Sequence, residues 1–291
     1  MNSIRQLHPL CSFAYFAVVI VLLLICRNPV VMLEACAGAV FCLGMLSGRT
    51  GLRRWKGMLP VFLMIAVFNP LFNHRGITKL FTLGGQWVTL EAIGYGVTAG
   101  LSLSALILWF ACYQEVITSD KFLYLFGKAA PGTALLISMA LGLVPRLEHQ
   151  LHQIEECQEM LYPDSASVKA KVKKSLRHVS TLLGWSLENT VEQADSMKAR
   201  GYGIRKRTCF HLFRFESGDG VFLAVLFALT SGCLGGRIAG YGIMEFYPQM
   251  DALFQSPWEM GFYFLFLILM LLPGILEWKE ELLWRSYNLT T

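Results

Sequence analysis

Charge is what this chain has least of. Only 15% of its 291 residues are Asp, Glu, Lys or Arg, against 55% hydrophobic, and its mean hydropathy is +0.50. Soluble domains carry about 25% charged residues, so a water-solvated globular fold is excluded and a polytopic membrane protein is implied. Cysteine pairs at metal-binding spacing are also missing. The eight cysteines (Cys11, Cys26, Cys36, Cys42, Cys112, Cys157, Cys209, Cys233) are scattered, mostly in apolar runs, with no Cys-x-x-Cys and no Cys/His cluster. They read as small buried hydrophobes, and no metal or cofactor is implied. Catalytic signatures are absent too: no Gly-x-x-x-x-Gly-Lys-Ser/Thr phosphate loop, no Gly-x-Ser-x-Gly, no His-Glu-x-x-His, and no pair of intramembrane carboxylates suited to a proton-coupled carrier. No catalytic residue is therefore assigned, and any nucleotide that energises the chain must be handled by another polypeptide. The formal charge of +5 is accompanied by no nucleic-acid module.

What the chain has is apolar length. Runs fall near residues 10–26, 30–47, 58–72, 89–113, 219–238 and 257–276, most of them able to cross ~30 Å of hydrocarbon as helices. The expected fold is all-α, with about six spans. The first run is followed by Cys26-Arg27-Asn28-Pro29, which has no small-residue cleavage pattern, and is read as a retained span. The third is short and carries Pro60 and Pro70, so it is expected to be kinked or partly held within protein. A further stretch, Phe122 to Val144, is interrupted by Lys128, Pro131 and Gly132 and reads as a broken or re-entrant element.

Lys and Arg orient such a chain. The loop 49–56 has four basic residues and no acid, which places it in the cytoplasm, whereas 239–256 has Glu245 and Asp251 and no base. Both termini then fall in the cytoplasm, provided that 122–144 adds no net crossing. The expected organisation is membrane helices over 1–145, a cytoplasmic block over 146–217, and membrane helices with a cytoplasmic tail over 218–291.

From Arg146 to Ser217 there are twelve Lys/Arg against nine Asp/Glu, in helical periodicity. Leu147, Leu151, Ile154 and Cys157/Gln158 make one stripe. Pro163 and Asp164 break it, and Ser165 or Ser167 can cap a second helix through Val168, Val172, Leu176 and Val179. Trp185, Glu188, Glu192, Asp195 and Ala199 share a face of a third. Three amphipathic helices would form a small platform.

That block ends in Ala194-Asp195-Ser196-Met197-Lys198-Ala199-Arg200-Gly201-Tyr202-Gly203, running on into Arg205-Lys206-Arg207. Gly201 and Gly203 can take the left-handed conformation that stops a helix, which leaves Arg200 near its tip. A guanidinium there suits a bidentate grip on a carboxylate of another protein; the local alternative is a solvated end whose Lys and Arg complement the helix dipole. In the fourth span Ala92, Gly96, Gly100 and Ser104 recur every four residues, a face for close helix packing, either within the chain or against a separate membrane partner. Asn69, Asn73, His74 and Arg75 sit at an expected membrane boundary, where they could close a turn or contact substrate. Glu91, near a helix start, is most simply a partner of the dipole.

The Ala199-Arg200-Gly201 segment resembles the signature that closes a coupling helix in the transmembrane T component of energy-coupling factor (ECF) transporters, the vitamin and metal-ion importers of prokaryotes. The stretches 69–76 and 90–96 also resemble one branch of that family, in the expected order. The resemblance implies a scaffold in the prokaryotic cell membrane joining two cytosolic ABC-type ATPases to a membrane-embedded substrate-binding S component. It implies ATPase contact at Ala199, Arg200 and Gly201, and a first arginine motif near residues 157–162. There Gln158 is kept, but the expected Arg-Gly reads Leu161-Tyr162, so the first contact would use another group such as Gln158 or Glu159, or would be apolar through Met160 and Leu161. A different reading of the whole chain is a self-contained membrane enzyme acting on lipid-linked phosphate substrates, with His74 and Arg75 as phosphate-binding groups.

Overall fold

The computed structural model describes residues 7–73, 76–83, 86–127, 130–161, 167–204, 213–247, 250–251 and 257–288. The chain falls into two compact units, Met1–Lys121 with Phe213–Thr291, and Phe122–Leu212.

In the first unit, helix α1 (Pro9–Ile25) and helix α2 (Pro29–Phe72) begin alike. A polar cap precedes a proline whose missing N–H costs nothing at that position: His8 Nδ1 accepts from the Leu10 N–H at 3.2 Å, and Asn28 Oδ1 from the Val30 N–H at 3.0 Å. The expected loop at 49–56 is not a loop. Gly48, at φ 54°, takes the whole reversal, and residues on both sides of it are helical. The second half of α2 runs on through Pro60 and Pro70 with helical backbone at both; one side of it lies on α3 and the rest is uncovered among the described residues. A strand pair that the reading missed, β1 (Lys79–Leu83) antiparallel to β2 (Gln86–Thr89), leads into helix α3 (Leu90–Val116). Thr89 closes the hairpin, and its hydroxyl accepts from the Ala92 N–H at 3.3 Å to cap α3.

Helices α1, α2, α3, α7 (Ser217–Ile238) and α8 (Pro257–Asn288) surround one core. Phe16 meets Trp109 and Tyr113 edge to face, at centroid separations of 6.2 and 5.8 Å. The polar atoms of these large side chains find carbonyls at the helix contacts: Trp109 Nε1 donates to Ala35 O at 3.0 Å, and the Tyr15 hydroxyl to Leu269 O at 3.2 Å. Of the cysteines, Cys11, Cys26, Cys42, Cys112 and Cys233 are buried, Cys36 is half-buried and Cys157 is exposed; Cys209 lies outside the described residues.

Among the described residues, five helical stretches are long and apolar enough to cross a membrane: Pro29–Gly48, Trp55–Phe72, Leu90–Val116, Ser217–Ile238 and Pro257–Trp278. The expected sixth, α1, is apolar but has 17 residues, short of the ~20 that a span needs, because Pro9 starts it and the turn into Pro29 ends it.

In the second unit, helix α4 (Ser119–Gly127), which begins in the first unit, stops before the expected interruption. Helix α5 (Pro131–Leu161) then runs without a break past residue 145, Pro145 included. Lys128 and the breaker pair Pro163 and Asp164, with the cap candidate Ser165, lie outside the described residues. Helix α6 (Val168–Ala199) is one element where two were expected. Ser167 precedes it at the cap position without a side-chain hydrogen bond. Between 168 and 199 the only breaker is Gly184, and a single glycine costs a helix about 1 kcal/mol, too little to end it.

Candidate functional site

The end of α6 is built as the sequence suggested. Arg200 is the C-cap; the Gly201 N–H donates to Lys198 O at 2.9 Å and the Tyr202 N–H to Met197 O at 3.0 Å, the two bonds of a Schellman motif. The motif needs a left-handed residue after the cap, and Gly201 supplies it at φ 81°. With the terminal carbonyls already satisfied, the Arg200 side chain is not needed to cap them. It stands exposed, as does Ala199. Lys198 is engaged in an exposed pair with Asp195 at 3.8 Å. Arg205, Lys206 and Arg207 lie outside the described residues.

Along α6, Val168, Val172, Leu176, Val179, Leu183, Leu187 and Val191 follow at spacings of three and four, within one broad arc of the helix. They are 51–76% exposed. An aliphatic stripe of seven exposed residues is far more than scattered surface leucine requires, and patches of this size are typical of surfaces that meet a protein or a membrane. Its first four members follow from the periodicity of the second expected helix; Leu183, Leu187 and Val191 lie past the end of that helix and continue the stripe because α6 is one element.

Helices α5 and α6 pack on each other around Ile154 and His178, both buried, with Glu155 Oε1 3.8 Å from His178 Nδ1 and Lys174 Nζ 3.5 Å from Glu159 Oε1. Of the degenerate first motif, Glu159 is thus tied to α6, and Gln158 is half-buried with its carbonyl oxygen covered. Met160 is 88% exposed, with Leu161 beside it also exposed. Tyr162 is outside the described residues.

The small-residue face of α3 is occupied from within the chain. Ala92, Gly96, Gly100 and Ser104 are buried, and the second half of α2 lies on them: a Cβ on Gly96 would stand 3.1 Å from Ala66 O, and one on Gly100 3.0 Å from Phe62 Cδ2. Asn73 caps the end of α2 and donates from Nδ2 to the Tyr247 hydroxyl at 2.9 Å. Glu91 is buried, and its Oε1 accepts from the Thr78 N–H at 3.1 Å and from the Thr78 hydroxyl, which ties the hairpin to the start of α3. His74 and Arg75 lie outside the described residues. One cavity had no signal in the sequence, a space of ≈ 470 Å³ lined by Arg27, Tyr95, Thr98, Ser102, Glu245 and Tyr247 among others, assembled from three distant segments.

In comparisons with known proteins, no family model matches this chain and no curated protein is similar to it.

Proposed function

We propose that the chain is the membrane scaffold of an ATP-driven importer, an energy-coupling subunit like the ECF T component, with no catalytic site of its own. The observation that carries this reading is the arginine offered to water at a glycine-closed helix tip, on a helix whose aliphatic stripe stands uncovered among the described residues. A guanidinium so placed has little freedom left to lose when it enters a groove on an ATPase and meets a carboxylate. The stripe would be covered by a membrane-embedded S component. ATP binding would close the ATPase pair, the α5–α6 hairpin would follow, and the S component would tilt to release its vitamin or metal ion inside. In this account the protein lies in a prokaryotic cell membrane with both ends and the 146–217 block cytoplasmic. Helix α1 would then cross as well, its 17 residues covering about 25 Å where the bilayer thins.

The test is association of Arg200→Ala with the ATPases. Truncation would leave a partner carboxylate buried and unpaired, costing roughly 2–5 kcal/mol. Assembly and uptake should be lost or strongly weakened, while expression and membrane insertion stay normal, since an exposed tip contributes little to folding. Full ATPase association and transport by Arg200→Ala would mean that the tip is only a solvated helix end.

A further inference from the structure

Gly48 folds α2 back on itself, and between its two halves and α3 the structure leaves a groove of ≈ 650 Å³. Leu33 and Phe41 line it from the first half, Trp55, Leu59 and Phe62 from the second, and Leu101 from α3. None of its lining residues carries a charge. At the folded end the character changes abruptly. Residues 49–56 hold four basic side chains and no acid, and Arg53 and Lys56 stand exposed on the same turns of helix as Trp55. An apolar slot of ligand size whose wall ends at Trp55, with the exposed Arg53 and Lys56 two positions before and one after it, has the polarity of a phospholipid: hydrocarbon, interface, phosphate.

We propose that this groove binds an anionic glycerophospholipid, one acyl chain lying between the halves of α2 and the phosphate meeting Arg53 and Lys56. A second transmembrane helix is a poorer occupant. Close helix approach needs a continuous face of small residues; here Cys36, Ala37 and Ser104 are set among the bulky Phe41, Trp55 and Phe62, and Gly96 and Gly100 of α3 are already covered by α2. A flexible chain conforms to such walls without that requirement. The cluster of like charge with no acid favours an anionic headgroup over a zwitterionic one. This site does not rest on the coupling role proposed above.

The full chain, reconstituted in phosphatidylcholine vesicles, can be titrated with brominated phosphatidylglycerol or brominated phosphatidylcholine while tryptophan fluorescence is followed. The Trp55 component is the difference between the native protein and Trp55→Phe, which leaves the core Trp109 in place. Brominated phosphatidylglycerol should half-quench that component at a mole fraction roughly tenfold lower than brominated phosphatidylcholine. Arg53→Ala with Lys56→Ala, both exposed positions, should abolish the difference. The Trp258 component, obtained in the same way from Trp258→Phe at an exposed helix start beside Glu259, should show no preference. Equal quenching of Trp55 by the two lipids, no quenching at all, a preference that survives the double substitution, or the same preference at Trp258 would each overturn the site.

Discussion

Gly201 decides how Arg200 is presented at the end of α6. With φ at 81° it ends α6 in one residue, and the arginine is left projecting from the last turn. An alanine at 201 would pay about 1–2 kcal/mol for the left-handed conformation. We therefore expect Gly201→Ala to fray the tip and weaken ATPase association severalfold without changing membrane insertion, measured by co-purification and by a membrane-fraction blot. Unchanged association would separate the tip geometry from partner binding. Arg200→Lys should restore only part of what Arg200→Ala loses, because an ammonium lacks the planar fork. Lys198→Ala should be mild, since Lys198 already faces Asp195. At this scale the helix end was legible: the left-handed Gly201 and Gly203 and the exposed place of Arg200 follow from local backbone preference, whereas a role for the arginine does not. The tie between Glu159 and Lys174 does not follow from it either, because it joins residues on two helices and no local pattern encodes which helix crosses which.

Among the described elements, α2 and α3 share the most extensive contact. At Gly100 a Cβ would stand 3.0–3.1 Å from the Phe62 ring and its carbonyl oxygen, so α2 cannot retreat by moving a side chain alone. Gly100→Leu should force the helices apart and lower stability by about 1–3 kcal/mol, read as a fall in the thermal transition in detergent. An unchanged transition would mean that α2 is not seated on this face. The four-residue repeat made that face readable; its occupant was not, because small residues advertise close packing and do not say against what. Two other elements escaped the sequence for physical reasons. The Gly48 reversal needs one residue, so a polar stretch that looks like a loop is helix, and the 79–89 strand pair is shorter than hydropathy can resolve. The two helices expected over 168–199 are one because Gly184, at about 1 kcal/mol, does not end a helix.

For the whole molecule, membrane character was fixed by composition, while orientation depends on how many helices cross. Five are long enough and α1 is marginal. Single cysteines at Asn2, Gln249 and Asn288 of a cysteine-free variant should react with an impermeant thiol reagent on intact cells at Gln249 alone; labelling at Asn2 or Asn288 would refute the proposed orientation. The purified chain should neither hydrolyse ATP nor bind a vitamin below micromolar concentration, and calorimetry showing either would remove the scaffold role. The most direct measurement is purification of the tagged chain from its native membranes with identification and stoichiometry of everything that accompanies it. The account predicts two ABC-type ATPase subunits and one small membrane protein per chain. Recovery of the chain alone, with turnover of a lipid-linked phosphate, would contradict it.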